Sequence, residues 1–188
     1  MTSGRINWYQ AAAIGRGLRP LVATALVVGM VLVINVYGKD SAAKKQKRVI
    51  GSTAELTDVG SGLSFPARID TGAATCSLHV EHIEIQDKTP RRVQNVGKPI
   101  RILLKGQDGK LHWIEGVVAD AVRVKSSTLP AGDYDHRYKV RMTLEWKGFR
   151  KEVLVALNDR TDMEYPLLIG RNFLNGDFLV DVSQDGEG

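Results

Sequence analysis

From Val49 onward the chain offers almost nothing that can become a helix. Its apolar residues come in short runs rich in Val, Ile and Leu, cut by turn residues such as Gln107-Asp108-Gly109 and Lys147-Gly148. Short runs punctuated in this way read as strands joined by hairpins. The expected strands run from Leu63 to Ile69, Ile83 to Gln86, Ile100 to Lys105, Leu111 to Val118, Ala121 to Lys125, Tyr138 to Trp146, Phe149 to Leu157 and Phe178 to Val182. The helical candidate is a turn or two after Gly170. Many short strands bury their apolar faces by closing into a barrel or stacking as a sandwich, so the expected fold class is all-β. No internal repeat or low-complexity segment interrupts the pattern.

The residues before Val49 have a different character. Leu21 to Tyr37, "LVATALVVGMVLVINVY", is seventeen residues without a charge, at the lower limit of what spans a bilayer. Its all-round apolarity argues for a membrane helix over a core helix. The nearest small-residue cleavage site, Ser41-Ala42-Ala43, is poor and is separated from the run by Gly38-Lys39-Asp40, so an uncleaved anchor is expected rather than a signal peptide. The chain thus divides into a tail (1–20), an anchor (21–37), a basic linker (38–48) and a β domain (49–185). Arg5, Arg16 and Arg19 precede the anchor, and Lys39, Lys44, Lys45, Lys47 and Arg48 follow it. The tail contains no acid and ends in arginines close against the apolar run, which favours keeping it inside and placing residues 38–188 on the far side of the membrane.

The formal charge of +5 is concentrated outside the β domain. Residues 1–48 hold eight Lys/Arg and one acid, whereas residues 49–188 hold eighteen Lys/Arg and twenty acids. A domain so close to neutral gives no nucleic-acid footprint. One cysteine, Cys76, excludes an intrachain disulfide and reads as a small buried hydrophobe.

Two segments carry chemistry. In "RIDTGAAT", residues 68–75, apolar Ile69 delivers Asp70 into a turn made of Thr71, Gly72 and Ala73. In "EYPLLIGRNFL", residues 164–174, apolar Leu168 and Ile169 precede Gly170-Arg171-Asn172. An isolated Asp-Thr-Gly is common in ordinary turns. Its pairing with Leu-Leu-Ile-Gly-Arg-Asn about a hundred residues later is far more specific. Together the two segments resemble the retropepsin-like aspartic proteases. The closer resemblance is to a bacterial group also labelled ATP-dependent zinc proteases, through Thr75, Ser77-Leu78-His79 and Asn158-Asp159-Arg160-Thr161-Asp162-Met163. It covers roughly residues 49–183 and leaves the anchor unexplained.

The resemblance implies a retropepsin-like barrel with one short helix near the C-terminus and an aspartic endopeptidase activity with Asp70 as the catalytic carboxylate. It places Leu168, Ile169, Gly170, Arg171 and Asn172 as structural support of the Asp70 loop. Such hydrolysis uses one carboxylate to take a proton from water and a second, protonated, to donate to the carbonyl oxygen. Two carboxyls in contact share a proton and titrate as a pair. Gly72 lets backbone N–H groups approach the carboxylate. Thr71, by resemblance, turns its hydroxyl across a loop–loop interface, and Ala73 lies where a substrate backbone runs. The chain has one such loop, since "TDVGSG" at 57–62 lacks the hydroxyl residue after its Asp, so a C2 homodimer is expected to supply the second carboxylate. Residues 122–140, with Pro130 to Gly132 near the tip, stand in the right order for a flap over the substrate.

Retroviral relatives pair the Arg of Gly-Arg-Asn with an acid directly after Asp-Thr-Gly-Ala, where this chain has Ala74. Arg171 is therefore expected to find Asp162, Glu164 or solvent. No His-Glu-x-x-His or phosphate-binding Gly-Lys-Ser/Thr loop occurs, and His79-Val80-Glu81-His82 lacks a third ligand, so neither zinc nor another cofactor is expected. The expected partners are a peptide or protein substrate and the bacterial inner membrane, with the domain in the periplasm. Relatives that sit beside glutamate-adding ligases leave an acidic peptide open as substrate. The alternative is a membrane-tethered module that captures peptides in the same cleft without hydrolysing them.

Overall fold

The computed structural model describes residues 46–124 and 133–184. Twelve strands lie among them: β1 (Arg48–Ile50), β2 (Thr53–Asp58), β3 (Ser64–Ile69), β4 (Cys76–His79), β5 (His82–Ile85), β6 (Pro99–Lys105), β7 (Leu111–Val117), β8 (Asp120–Val124), β9 (Asp135–Trp146), β10 (Phe149–Asn158), β11 (Leu167–Ile169) and β12 (Phe178–Val180). One short helix, α1 (Arg171–Leu174), follows β11, and a 3-10 turn over Arg92–Asn95 precedes β6.

Six strands close a barrel in the order β10-β4-β11-β3-β2-β9, with β9 returning to β10. β8 extends the sheet beyond β9, while β5, β6 and β7 form a separate three-stranded sheet. β9 shows how composition makes the barrel wall. Tyr138, Val140, Met142, Leu144 and Trp146 alternate along it and are buried, as the two-residue period of a strand requires. Lys147 and Gly148 both have positive φ, 45° and 78°, which suits the tight two-residue turn joining β9 to β10. The strand ends agree with the sequence reading to within a few residues. β1, β2, β4, β11 and the 3-10 turn were not expected from it, and Arg48, expected to close the linker, opens β1.

β11 sets the position of the site. It lies between β3 and β4, parallel to β3 with Ile169 opposite Ile69, and antiparallel to β4 with Leu168 opposite Ser77. Asp70 and Gly170 therefore leave adjacent strands side by side. Phe173 of α1 is fully buried and meets the rings of Phe149 and Phe178 at centroid distances of 5.8 and 5.2 Å. Lys151 on β10 holds the end of α1, donating to the carbonyls of Phe173 and Asn175 and to Asp177 Oδ2. No helix among the described residues is long and apolar enough to cross a membrane, and the expected anchor at 21–37 lies outside them.

Candidate active site

The Asp70 N–H donates to the carbonyl of Ile169 at 2.9 Å, extending the β3–β11 ladder by one step. Its Oδ1 then accepts the N–H groups of Gly72 at 2.8 Å and Ala73 at 3.1 Å. Gly72 is needed for closeness, since a Cβ there would stand 3.1 Å from Oδ1. Oδ2 takes no hydrogen bond from the described residues. Thr71 and Gly72 are exposed and Asp70 and Ala73 half-buried, so the loop presents its carboxylate to the outside of a single chain.

The Gly170-Arg171-Asn172 segment is the scaffold beneath this loop. A Cβ on Gly170 would stand 2.6 Å from the carbonyl carbon of Thr75 and 3.0 Å from the carbonyl oxygen of Ala73, both backbone atoms. The absent side chain lets the two segments touch. The Arg171 N–H donates to Ala73 O at 2.9 Å and the Asn172 N–H to Ala74 O at 3.2 Å. Asn172 Oδ1 accepts the Cys76 N–H at 2.9 Å, and its Nδ2 donates to Leu154 O at 2.8 Å, so one side chain joins α1, β4 and β10. Ile169 is buried and Leu168 half-buried at the ladder behind the loop.

Arg171 corrects the expectation for its partner. Its Nη1 donates to the carbonyls of Thr71 and Gly72, at 3.0 and 2.8 Å, rather than to Asp162 or Glu164, and the residue stays exposed to solvent. With Ala74 in place of an acid, the guanidinium holds the Asp70 loop through its backbone oxygens. Cys76 lies behind the same loop, its thiol pushed up to about 11 mainly by burial.

A sequence family described as RimB-like, the retropepsin-like aspartic endopeptidase RimB, matches residues 49–186. The chain belongs to this family. Two curated relatives, from Shewanella halifaxensis and Shewanella pealeana, are each named probable alpha-L-glutamate ligase. Each is 28% identical over 144 residues, 73% of this chain but 29% of the relative. The chain thus spans less than a third of the curated relatives it matches. The crystal structure of Lpg0085, a DUF785 protein of unknown function from Legionella pneumophila, has the same fold, with a TM-score of 0.60 at 22% identity. The similarity covers 76% of this chain and 98% of that one.

Within this RimB-like domain the remaining candidates take definite places. Asp58, the other Asp before a glycine-rich turn, is buried and accepts both the N–H and the hydroxyl of Ser61, at 2.9 and 2.7 Å, as a structural turn acid. The arms of the expected flap are β8 and β9, paired from Asp120 opposite Lys139 to Val124 opposite Asp135. Its tip, Pro130 to Gly132, lies outside the described residues. His79 Nδ1 accepts the Arg160 N–H at 2.9 Å, while His82 meets the Trp113 ring edge-on at 6.2 Å. No group of three or more His, Cys, Asp or Glu side chains among the described residues is placed to hold a metal ion.

Arg160 was not singled out from the sequence. It follows β10, is half-buried, and its Nε donates to the carbonyl of Tyr165 at 3.2 Å. The segment holding it, Asn158 to Met163, was quoted only for its resemblance, and nothing in its spacing separates Arg160 from a surface arginine.

Proposed function

We propose that this chain is a membrane-anchored aspartic endopeptidase whose second catalytic carboxylate comes from a second copy of the chain. The observation that carries the reading is the Asp70 carboxylate, held on one oxygen by the Gly72 and Ala73 amides and presented on an exposed loop braced by Arg171. With two such loops face to face, one aspartate takes the proton of the attacking water. The other, protonated, donates to the scissile carbonyl. The name carried by the Shewanella relatives makes glutamate-bearing peptides the first substrates to try. Cleavage of a peptide library by the purified protein tests the reading, with EDTA included in a parallel series. Cleavage is expected to be unchanged by the chelator. No product from any peptide overturns the assignment, and loss in EDTA reversed by zinc shows a metal mechanism.

Dimerisation is supported by the two-stranded sheet of β1 and β12, where Val49 and Leu179 stand opposite each other and are 47% and 54% exposed. Val182 just beyond is also exposed. A self-complementary apolar strip of this kind suits a two-fold contact. Sedimentation is expected to show a dimer, and Leu179→Glu to weaken dimerisation and activity in parallel. A monomer with full activity would direct attention to a second acid within one chain.

For location, the apolar run Leu21 to Tyr37 serves as a single-pass anchor in the inner membrane, with the protease domain in the periplasm. External protease added to spheroplasts is expected to digest the domain. Protection until lysis reverses the orientation and moves the search for substrates to the cytoplasm.

A further inference from the structure

Two segments quoted above only for their resemblance, Ser77-Leu78-His79 and Asn158 to Met163, meet at one histidine. The stretch from Asn158 to Pro166 runs from the end of β10 to the start of β11 and is pinned at both ends to β4 and the residue after it. The Val80 N–H donates to the carbonyl of Asn158 at 3.1 Å, and the His79 N–H to that of Pro166 at 2.8 Å. Between these points the His79 ring supplies the bond, its Nδ1 accepting the Arg160 N–H at 2.9 Å. Arg160 then ties the rest of the loop. Its carbonyl accepts the Met163 N–H at 2.9 Å, and its Nε donates to the Tyr165 carbonyl at 3.2 Å. β11 follows directly and ends at Ile169, whose carbonyl accepts the Asp70 N–H. The histidine latch and the Asp70 loop thus lie at opposite ends of one short strand.

An Nδ1 that accepts a hydrogen bond carries no proton, so the ring is neutral with its proton on Nε2. Two carboxylates lie beside it just beyond hydrogen-bond distance: Glu81 Oε1 is 3.6 Å from Nε2 and Asp159 Oδ1 is 3.7 Å from Nδ1. The Thr161 hydroxyl and N–H, both donating to Asp159 Oδ1, hold that carboxyl below the usual range, so it stays an anion where histidines titrate. His82 from β5 and Asp135 and His136 from β9 line the same cavity. A second proton on the ring sets N–H against N–H at Arg160 and draws the ring toward the two carboxylates.

We infer that His79 is a positioning residue for the Asp70 site: neutral, it holds Arg160 and the entry to β11, and protonated, it exchanges Arg160 for Asp159 and Glu81 and releases the loop. Each protonation state has its own partners, which makes the loop a two-state element that acid biases. The latch is complete above the histidine range and is lost as pH falls through it. The inference rests on the peptidase reading only for its effect on cleavage.

Hydrogen exchange at the Arg160 amide, followed by NMR on the full-length chain in detergent micelles, reads the latch directly. Protection relative to the intrinsic rate is expected to fall roughly 10-fold between about pH 8 and about pH 5, the contribution of one hydrogen bond. His79→Asn places a carboxamide oxygen where Nδ1 stands and takes up no proton in this range, so it is expected to keep the protection throughout. His79→Leu is expected to lack it throughout. Glu81→Gln combined with Asp159→Asn removes the anions that favour the imidazolium and is expected to move the transition to lower pH. Wild-type protection that does not change across the range, or that falls equally in His79→Asn, overturns the proposal. Should the His79 variants fail to fold, wild type and the Glu81→Gln, Asp159→Asn protein decide, and an unmoved transition overturns it. For the site itself, the library peptide cleaved fastest by wild type is followed across the same range. The rate of His79→Asn relative to wild type is expected to rise by up to about 10-fold toward acid. A ratio flat with pH overturns the positioning role. No cleavage by either protein at any pH sinks the hydrolysis reading alone, and the amide exchange then decides the latch.

Discussion

Asp70→Asn is expected to lower peptide cleavage by about 10²- to 10⁴-fold while leaving the protein folded, because the amide cannot exchange a proton with water. The variant keeps an oxygen where Oδ1 accepts the Gly72 and Ala73 N–H groups at 2.8 and 3.1 Å. Only the charge assistance of those two bonds is lost, on the order of 1 kcal/mol. Initial rates and a thermal melt, taken on the same preparation, separate the two effects. Undiminished cleavage by the folded variant removes Asp70 from the chemistry. Loss of folding would show that its charge is structural.

Gly170→Ala is expected to destabilise the domain strongly. The new carbon falls 2.6 Å from the carbonyl carbon of Thr75 and 2.7 Å from its oxygen, and neither backbone atom can swing aside like a side-chain tip. Overpacking of this kind costs roughly 3 kcal/mol or more, which corresponds to a fall of about 10 °C in melting temperature for a domain of this size. The strain is directed at the Asp70 loop, since Arg171 and Asn172 hold that loop through the carbonyls of Ala73 and Ala74. Activity should therefore fall further than stability at temperatures where the variant is still folded. A melting temperature within 2 °C of wild type, on the order of what an ordinary surface substitution gives, would mean that the segments separate easily.

The contrast between strands that could be read and those that could not has a physical basis. β9 and β10 are long, alternate or stay apolar, and are joined by a turn whose residues demand positive φ, so periodicity and punctuation agree. β2 is largely polar by composition and buries Ala54, Leu56 and Asp58 only because β3 and β9 flank it. β4 and β11 are four and three residues long, too short for a period to show. Their strand character comes from their neighbours' ladders. The site divides similarly. The Asp70 loop and its Gly170-Arg171-Asn172 support were readable as motifs, whereas the partner of Arg171 depended on Ala74 and on carbonyls that no motif records. Arg160 meets His79 through folding alone.

The insertion of β11 between β3 and β4 also fixes when the Asp70 loop can form. The chain leaves the ribosome with Asp70 about a hundred residues ahead of the segment that braces it, and synthesis at roughly 5 to 20 residues per second separates their appearance by on the order of ten seconds. Throughout that interval β3 has no parallel neighbour, and the carbonyls of Thr71, Gly72, Ala73 and Ala74 lack the donors that shape the loop. Long-range pairing of this kind is also slow to form. A nascent chain therefore carries its aspartate in an unformed loop, and the order of synthesis itself postpones the shaping of that loop until the barrel has closed.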